Sequence, residues 1–350
     1  SITIELGTPG ALGASWPAGS NKAIGNYNRG VQDIHHIVMN RRNADWGYKS
    51  CWFGMILLSH PDWNSTTGPR PYRQSINKLA AAAKSYLEGR ILEPVEKYFW
   101  DGSAMVENPA HQAAGLENWD VTTKAMFLAL YRQKSADESY DPILERSAEL
   151  IGNRIQHWKQ YNDPDTGRGD PSLGGGVGRM GHLGVHGDYS HYPNSWGGAG
   201  ALNIINAHAL PALGLLKMAG VDMSRVIGTN ANAFSYNPGL QRLTIEEKFR
   251  ACWNYVKQGT KIGGGEDGNV GYIGPQGGYD SAGRTPGSFA GWHLYGMTAN
   301  ADDTDKQEKM GSYFVRKWYR QQHAHAYTLG GVALSQIAIP FLDDRSERYF

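Results

Sequence analysis

The segment GHLGVHGDYSHYPN gathers His182, His186, Asp188, Tyr189, His191, Tyr192 and Asn194 within thirteen positions. Three histidines and a carboxylate can hold a divalent metal. The glycines between them break any helix, however, and their spacing matches no zinc motif. The same side chains suit proton transfer. A histidine or tyrosine removes a proton, an amide or arginine stabilises the anion, and a second tyrosine or histidine protonates the leaving oxygen. On that reading His186 and Tyr189 exchange protons while Asp188 orients His186. A third reading is structural: these groups hydrogen-bond to one another and brace a long loop. The residues leave all three open. No cofactor is expected, with a divalent metal at His182 to His191 as the alternative.

A second group lies in GGGEDGNVGY and GGYDSAGR, where Glu266, Asp267 and Asp280 accompany Tyr272, Tyr279 and Arg284. Paired carboxylates suit glycoside hydrolysis, in which their separation decides inversion or retention. Asp-Gly pairs also make turns for purely structural reasons. Later, QQHAHAYTLGG places His323 and His325 just before an apolar run, where His325 either faces a central cavity beside Asp188 or makes an interhelical hydrogen bond. Near the start, Trp46 and Tyr48 stand before a buried helix, as cavity-mouth residues or as core. The expected catalytic set is therefore His186, Asp188, Tyr189 and His325. The expected substrate-binding set is Trp46, Tyr48, His182, His191, Tyr192, Asn194, Glu266, Asp267, Tyr272, Tyr279, Arg284 and Trp292. Trp46, Tyr272 and Trp292 would serve as stacking platforms.

These residues need a scaffold, and the spacing of apolar residues supplies one. Val31, Ile34, Ile37 and Val38 follow a helical period, as do Ile143, Leu144, Ala148, Ile151 and Ile155. SCWFGMILLS and GALNIINAHALPALGLLKMAG are apolar on nearly all faces, as buried helices are. Local signals set the ends: Ser75 as an N-cap and Gly89 as a stop, Asn118 or Asp120 as a cap, Pro142 in a first turn, and Thr244 with Glu247 as a capping box. The result is about ten helices in which amphipathic and apolar members alternate, with few strand signals. That pattern predicts an all-α fold, an α/α toroid of antiparallel helical hairpins with long glycine- and aromatic-rich loops. No fixed-period self-similarity points to a repeat array. Residues 1–29 are expected to be an irregular lead-in and residues 30–350 a single domain.

Composition narrows the function. The 350 residues include 34 basic and 33 acidic ones, for a net charge of +1, which suggests neither nucleic acid nor an anionic membrane surface as partner. No apolar run is long enough for a transmembrane helix, and no signal peptide is evident. The chain begins at Ser1, which suggests processing or trimming. With 45 glycines, 11 tryptophans, 19 tyrosines and only 19% charged residues, the chain has many turns and much ring surface. Sugar rings stack their C–H faces on such aromatics. Cys51 and Cys252 are expected to be free buried thiols. There is no GxxxxGK[ST], no GxGxxG between strand and helix, and no GxSxG.

The run Asp267, Gly268, Asn269, Val270, Gly271, Tyr272, then Gly277, Gly278 and Thr285, resembles the hairpin unit of the terpene-cyclase and prenyltransferase toroid superfamily. In that superfamily a DG-x-x-GY turn feeds a helix pair. The segment from Gly174 to Val221 is similar in texture to an uncharacterised bacterial toroid family often found beside PDZ domains. The late counterpart of that family's GHTG-like turn would be His323 to Ala326, with Gly330 and Gly331. The resemblance implies a toroid and says little of an activity. The chain lacks a DxDD motif, an Asp/Cys/His zinc set and a PDZ domain. Together these features lead to an expected carbohydrate-active enzyme, a polysaccharide lyase or glycoside hydrolase, acting on a polysaccharide or oligosaccharide. An extracellular or periplasmic location goes with it. The alternative is a non-catalytic structural or binding subunit of a larger extracellular assembly.

Overall fold

A computed structural model describes residues 20–67, 71–92, 98–100, 105–107, 117–155, 203–227, 243–271, 283–317 and 328–342. These residues are mostly helical. The helices are α1 (Ser20–Asn40), α2 (Tyr48–Ser59), α3 (Tyr72–Glu88), α4 (Glu117–Ser135), α5 (Asp141–Arg154), α6 (Asn203–Met218), α7 (Ile245–Gln258), α8 (Arg284–Tyr295), α9 (Ala301–Arg316) and α10 (Thr328–Ala338). Two short antiparallel ribbons are the only strands among the described residues. They pair β1 (Tyr98–Trp100) with β2 (Met105–Glu107), and β3 (Val226–Ile227) with β4 (Leu243–Thr244).

The expected alternation of wet and dry helices is present. In α4 every residue from Val121 to Tyr131 is buried, and α8 is buried along almost its whole length. By contrast α9 buries Lys306, Met310 and Phe314 while Asp302, Thr304 and Glu308 face water. Odd-numbered α3, α5, α7 and α9 share this one-sided pattern, so they lie outside α4, α6 and α8.

Side-chain pairings set the directions of the helices. Tyr48 meets Trp119 and Gly54 meets Phe127, so α2 and α4 run parallel. Ala207 meets Gly287, Leu210 meets Gly291 and Gly214 meets Leu294, so α6 and α8 also run parallel. Among the outer helices, His35 pairs with Ser75 and Lys78 reaches Val38. In the same sense, Gly152 lies against Ile245 and Ile155 accepts from Lys248. The neighbour relations run α2–α4–α6–α8–α10, and α10 also packs on α2.

The tightest of these contacts is α6 on α8. A Cβ added at Gly214 would lie 2.6 Å from Leu294 Cβ, and one at Gly291 would lie 2.7 Å from Pro211 N. One at Gly287 would overlap the Ala207 carbonyl oxygen. Gly287 and Gly291 are four apart and share a face. Pro211 lies inside α6 and has no N–H. The helical partner that Ala207 O would have is therefore missing, and Gly287 packs against that carbonyl.

A second tie joins α7 to α9. The buried Asp303 carboxylate accepts from Arg250 Nη1 (2.7 Å), Trp253 Nε1 (2.8 Å) and Lys257 Nζ (2.8 Å). It also closes a capping box with Asn300. Burial alone would raise its pKa. The bonds from Lys257, Trp253, the Asn300 backbone and Arg250 outweigh burial and hold it far below the usual carboxylate range.

Several local expectations hold. Thr244 and Glu247 form a reciprocal capping box, Pro142 stands in the first turn of α5, Gly89 is the C-cap of α3, and both cysteines are free and buried. Others need correction. Ser75 is not an N-cap: α3 begins at Tyr72, and the buried Ser75 hydroxyl meets His35 Nδ1 at 2.5 Å. Asn118 and Asp120 lie inside α4, which begins at Glu117. Helix α1 runs unbroken through Gly30, so the described part of the expected irregular lead-in, residues 20–29, is helical. Residues 1–19 of the expected lead-in are outside the described residues.

Gly291→Ala should destabilise the protein by about 2 kcal/mol or more, because the added methyl has no room. Gly30→Ala, in a helix with nothing near the new Cβ, should stabilise it by roughly 0.5–1 kcal/mol; urea unfolding of the pair measures both signs. The Asp303 contribution is present above the unfolded carboxyl's ordinary pKa and is lost as pH falls through the depressed folded value. Asp303→Asn should flatten the acid limb of a stability-versus-pH curve, and an unaltered limb would exclude this role.

Candidate functional site

The parallel inner helices begin at one end of the structure, and described members of the expected site gather there. Trp46 is half-buried just before α2. The Arg41 guanidinium stands over its ring at 4.7 Å, and Phe53 is tilted against it at 5.9 Å. Tyr48 opens α2 and lies 5.5 Å from Trp119 of α4. Trp119 in turn meets the buried His208 of α6 edge-on at 4.8 Å, and His208 also meets Trp52 at 5.7 Å. An aromatic wall thus runs from half-exposed Tyr48 into the interior.

Beside this wall lies a group of charges that no sequence motif marks. Lys124 is fully buried, and its Nζ lies 3.0 Å from Asp45 Oδ1 and 2.9 Å from Asp120 Oδ1. The same ammonium stands 4.0 Å over the Tyr86 ring. Burial opposes its charge, but the Asp120 and Asp45 carboxylates leave it above its ordinary pKa. Burial raises the Asp120 carboxyl, and Lys124 pulls it back only in part. Burial also pushes the neighbouring Cys51 thiol up to about 12, so it stays protonated at neutral pH. The signal for this group was a lone lysine in the otherwise apolar VTTKAMFLALY, because a charge on a wholly buried helix must be paired.

Glu266 and Asp267 hold a turn. Glu266 Oε2 accepts from Asn269 Nδ2 (3.0 Å) and Tyr313 OH (2.8 Å). Asp267 Oδ1 accepts from Gly263 N (2.7 Å). Gly268, between them and Asn269, has φ +89 and presses on the Lys309 carbonyl, where no side chain fits. Arg284 is buried, with Nε donating to Val270 O at 3.0 Å. Thr285 Oγ1 accepts from Val270 N, and Asn203 Nδ2 donates to Gly271 O at 2.7 Å. These bonds seat the DG-x-x-GY turn on the starts of α6 and α8. Trp292 is 4% exposed. Trp253 lies 4.6 Å from it and the Arg250 guanidinium 4.9 Å, so its ring surface is taken up in core packing.

His182, His186, Asp188, Tyr189, His191, Tyr192, Asn194, Tyr272, Tyr279 and His325 lie outside the described residues. Their sequence positions place them in the segments that join outer helices to inner ones: α5 to α6, the turn after α7 to α8, and α9 to α10. No described group of three or more His, Cys, Asp or Glu could hold a metal ion. Among the described residues, no helix is long and apolar enough to cross a membrane. An open groove of about 420 Å³ lies at the other ends of α6 and α8, lined by Lys217, Glu246, Glu247, Arg250, Gly296, Met297 and Thr298. No residue of the expected site lines it.

No family model matches the chain, and neither a curated protein nor a solved structure matches it.

Lys124→Met should leave two partly buried carboxylates without their cation and cost about 3 kcal/mol. Chemical denaturation measures this, and a loss below the roughly 1 kcal/mol typical of exposed pairs would show that Lys124 does not tie the segment before α2 to α4.

Proposed function

We propose that the chain closes into an α/α toroid and is a carbohydrate-active enzyme, a polysaccharide lyase or glycoside hydrolase, whose site lies where the inner helices begin. One observation carries this reading. The inner helices run parallel, so every outer-to-inner segment returns to the same end, and those segments carry His186, Asp188, Tyr189 and His325. Trp46 and Tyr48 stand half-buried at that end, and partly exposed aromatic faces suit the C–H faces of sugar rings. Contact of α10 with both α8 and α2 supports closure of the ring.

In this reading His186 and Tyr189 move protons between substrate and leaving oxygen, Asp188 orients His186, and Trp46 and Tyr48 hold a sugar at the mouth. An extracellular or periplasmic location fits a polysaccharide substrate. The proposal is tested by incubating the protein with a panel of neutral and uronate-containing glycans and following chain cleavage. One class of glycan should be cleaved, and the double variant His186→Ala, Tyr189→Phe should lose about a hundredfold or more in rate. Full activity of the double variant would remove the acid–base assignment. Cleavage of no glycan, with stable binding to other surface subunits, would favour a non-catalytic member of a larger assembly.

A further inference from the structure

The outer helices share a feature that no sequence motif announces. Helix C-termini leave carbonyls without partners, and cations commonly satisfy them. The last turns of α1 and α3 contain no basic residue. Their carbonyls are reached instead from the next outer helix. Lys78 of α3 donates to Val38 O (3.0 Å) and Met39 O (3.2 Å) at the end of α1, and to Arg41 O just beyond it. Arg146 of α5 donates to Leu87 O (3.1 Å) and Glu88 O (3.2 Å) at the end of α3, and on to Arg90 O. Lys248 of α7 is buried and donates to Ile155 O, the C-cap of α5.

Each capped carbonyl lies where the chain leaves an outer helix for an inner one. The first crossing carries Trp46 and leads to α2. The second leads to α4, and its start is further held by Asn153 on Leu92 O and Arg154 on Ile91 O, both at 3.0 Å. The third leads to α6 and contains His182 to Asn194. Arg316 at the end of α9 makes a related bond to Asp267 O in the turn that precedes α8.

We infer that Lys78, Arg146 and Lys248 are positioning residues: each anchors the departure point of one outer-to-inner crossing through the carbonyls it caps, so that the crossings stand on a common rigid rim. The positioning role rests on the proposed site at that end, whereas the anchoring is independent of any substrate.

Hydrogen-exchange mass spectrometry on the full chain tests the anchoring, with Arg146→Gln, Lys248→Met and the control Lys309→Met, which removes an exposed pair with Asp305. The last turn of α3 should exchange about tenfold faster in Arg146→Gln, and the last turn of α5 likewise in Lys248→Met, as expected for one lost bond of this kind. Helices α4 and α8 and the control should be unchanged. Unaltered helix ends, or equal acceleration throughout α4 and α8, would overturn the inference. Should Lys248→Met fail to fold, the partly exposed Arg146 decides. On a glycan that the wild type cleaves, Arg146→Gln should raise KM several-fold with kcat retained, and Arg146→Lys should restore it. Local exchange changes with both constants unmoved would overturn the positioning role. Absence of cleavage by the wild type would count against the proposed function and leave the exchange result to judge the anchoring.

Discussion

The carbonyl of Ala207, left without its helical partner by Pro211, is where the rest of the structure is gauged. Because Gly287 has no side chain, α8 can close on that carbonyl, and Gly291 and Gly214 keep the two helices close along the seam. Such close approach favours backbone-to-backbone dispersion and weak Cα–H···O contacts. It also brings the first residues of α6 and α8 near enough for Asn203 and Arg284 to bond the same short stretch, Val270 and Gly271. The seating of the turn after α7 thus depends on a missing N–H and missing side chains more than a turn away.

Much of the fold was legible in the sequence. Apolar periodicity identified the helices, and its variation from one-sided to all-round separated outer from inner. Strong local chemistry was legible too: the Thr244–Glu247 box requires only residues three apart. Less legible was anything whose partner lies far along the chain. Ser75 looks like a cap because serine caps helices, yet its hydroxyl is spent on His35 of α1. Asp120 reads as a cap for the same reason and pairs instead with Lys124. The Glu266 loop shows the converse: its acids resemble a hydrolytic pair in composition, whereas the structure spends them on Asn269, Tyr313 and Gly263. Of the expected site, Trp46, Tyr48, Glu266, Asp267, Arg284 and Trp292 have described positions, and the histidine segment lies outside them.

The sparse charges are used in a consistent way. Lys124, Asp303 and Arg284 are all buried, and each reaches a helix or turn other than its own. A buried charge without its partner is costly, so these groups discriminate strongly between the correct helix neighbour and any other. Apolar surfaces are poor at that discrimination because one leucine face packs acceptably on many others. A chain of many similar apolar helices therefore benefits from a few buried ions that specify which helices meet.

Helix α10 rests against α2 as well as α8, so the two ends of the described chain meet. Every other inner contact joins helices close together in sequence and can form while the chain is still lengthening. This one brings together segments far apart in sequence, Tyr48–Ser59 and Thr328–Ala338, and its loop-closure entropy must be met before the contact contributes. The flank of α2 that awaits α10 thus stays uncovered until α10 itself has been made. During that interval an unfinished chain presents an apolar edge that matches α10 of any other copy, which makes exchange of α10 between two chains the characteristic hazard of its assembly.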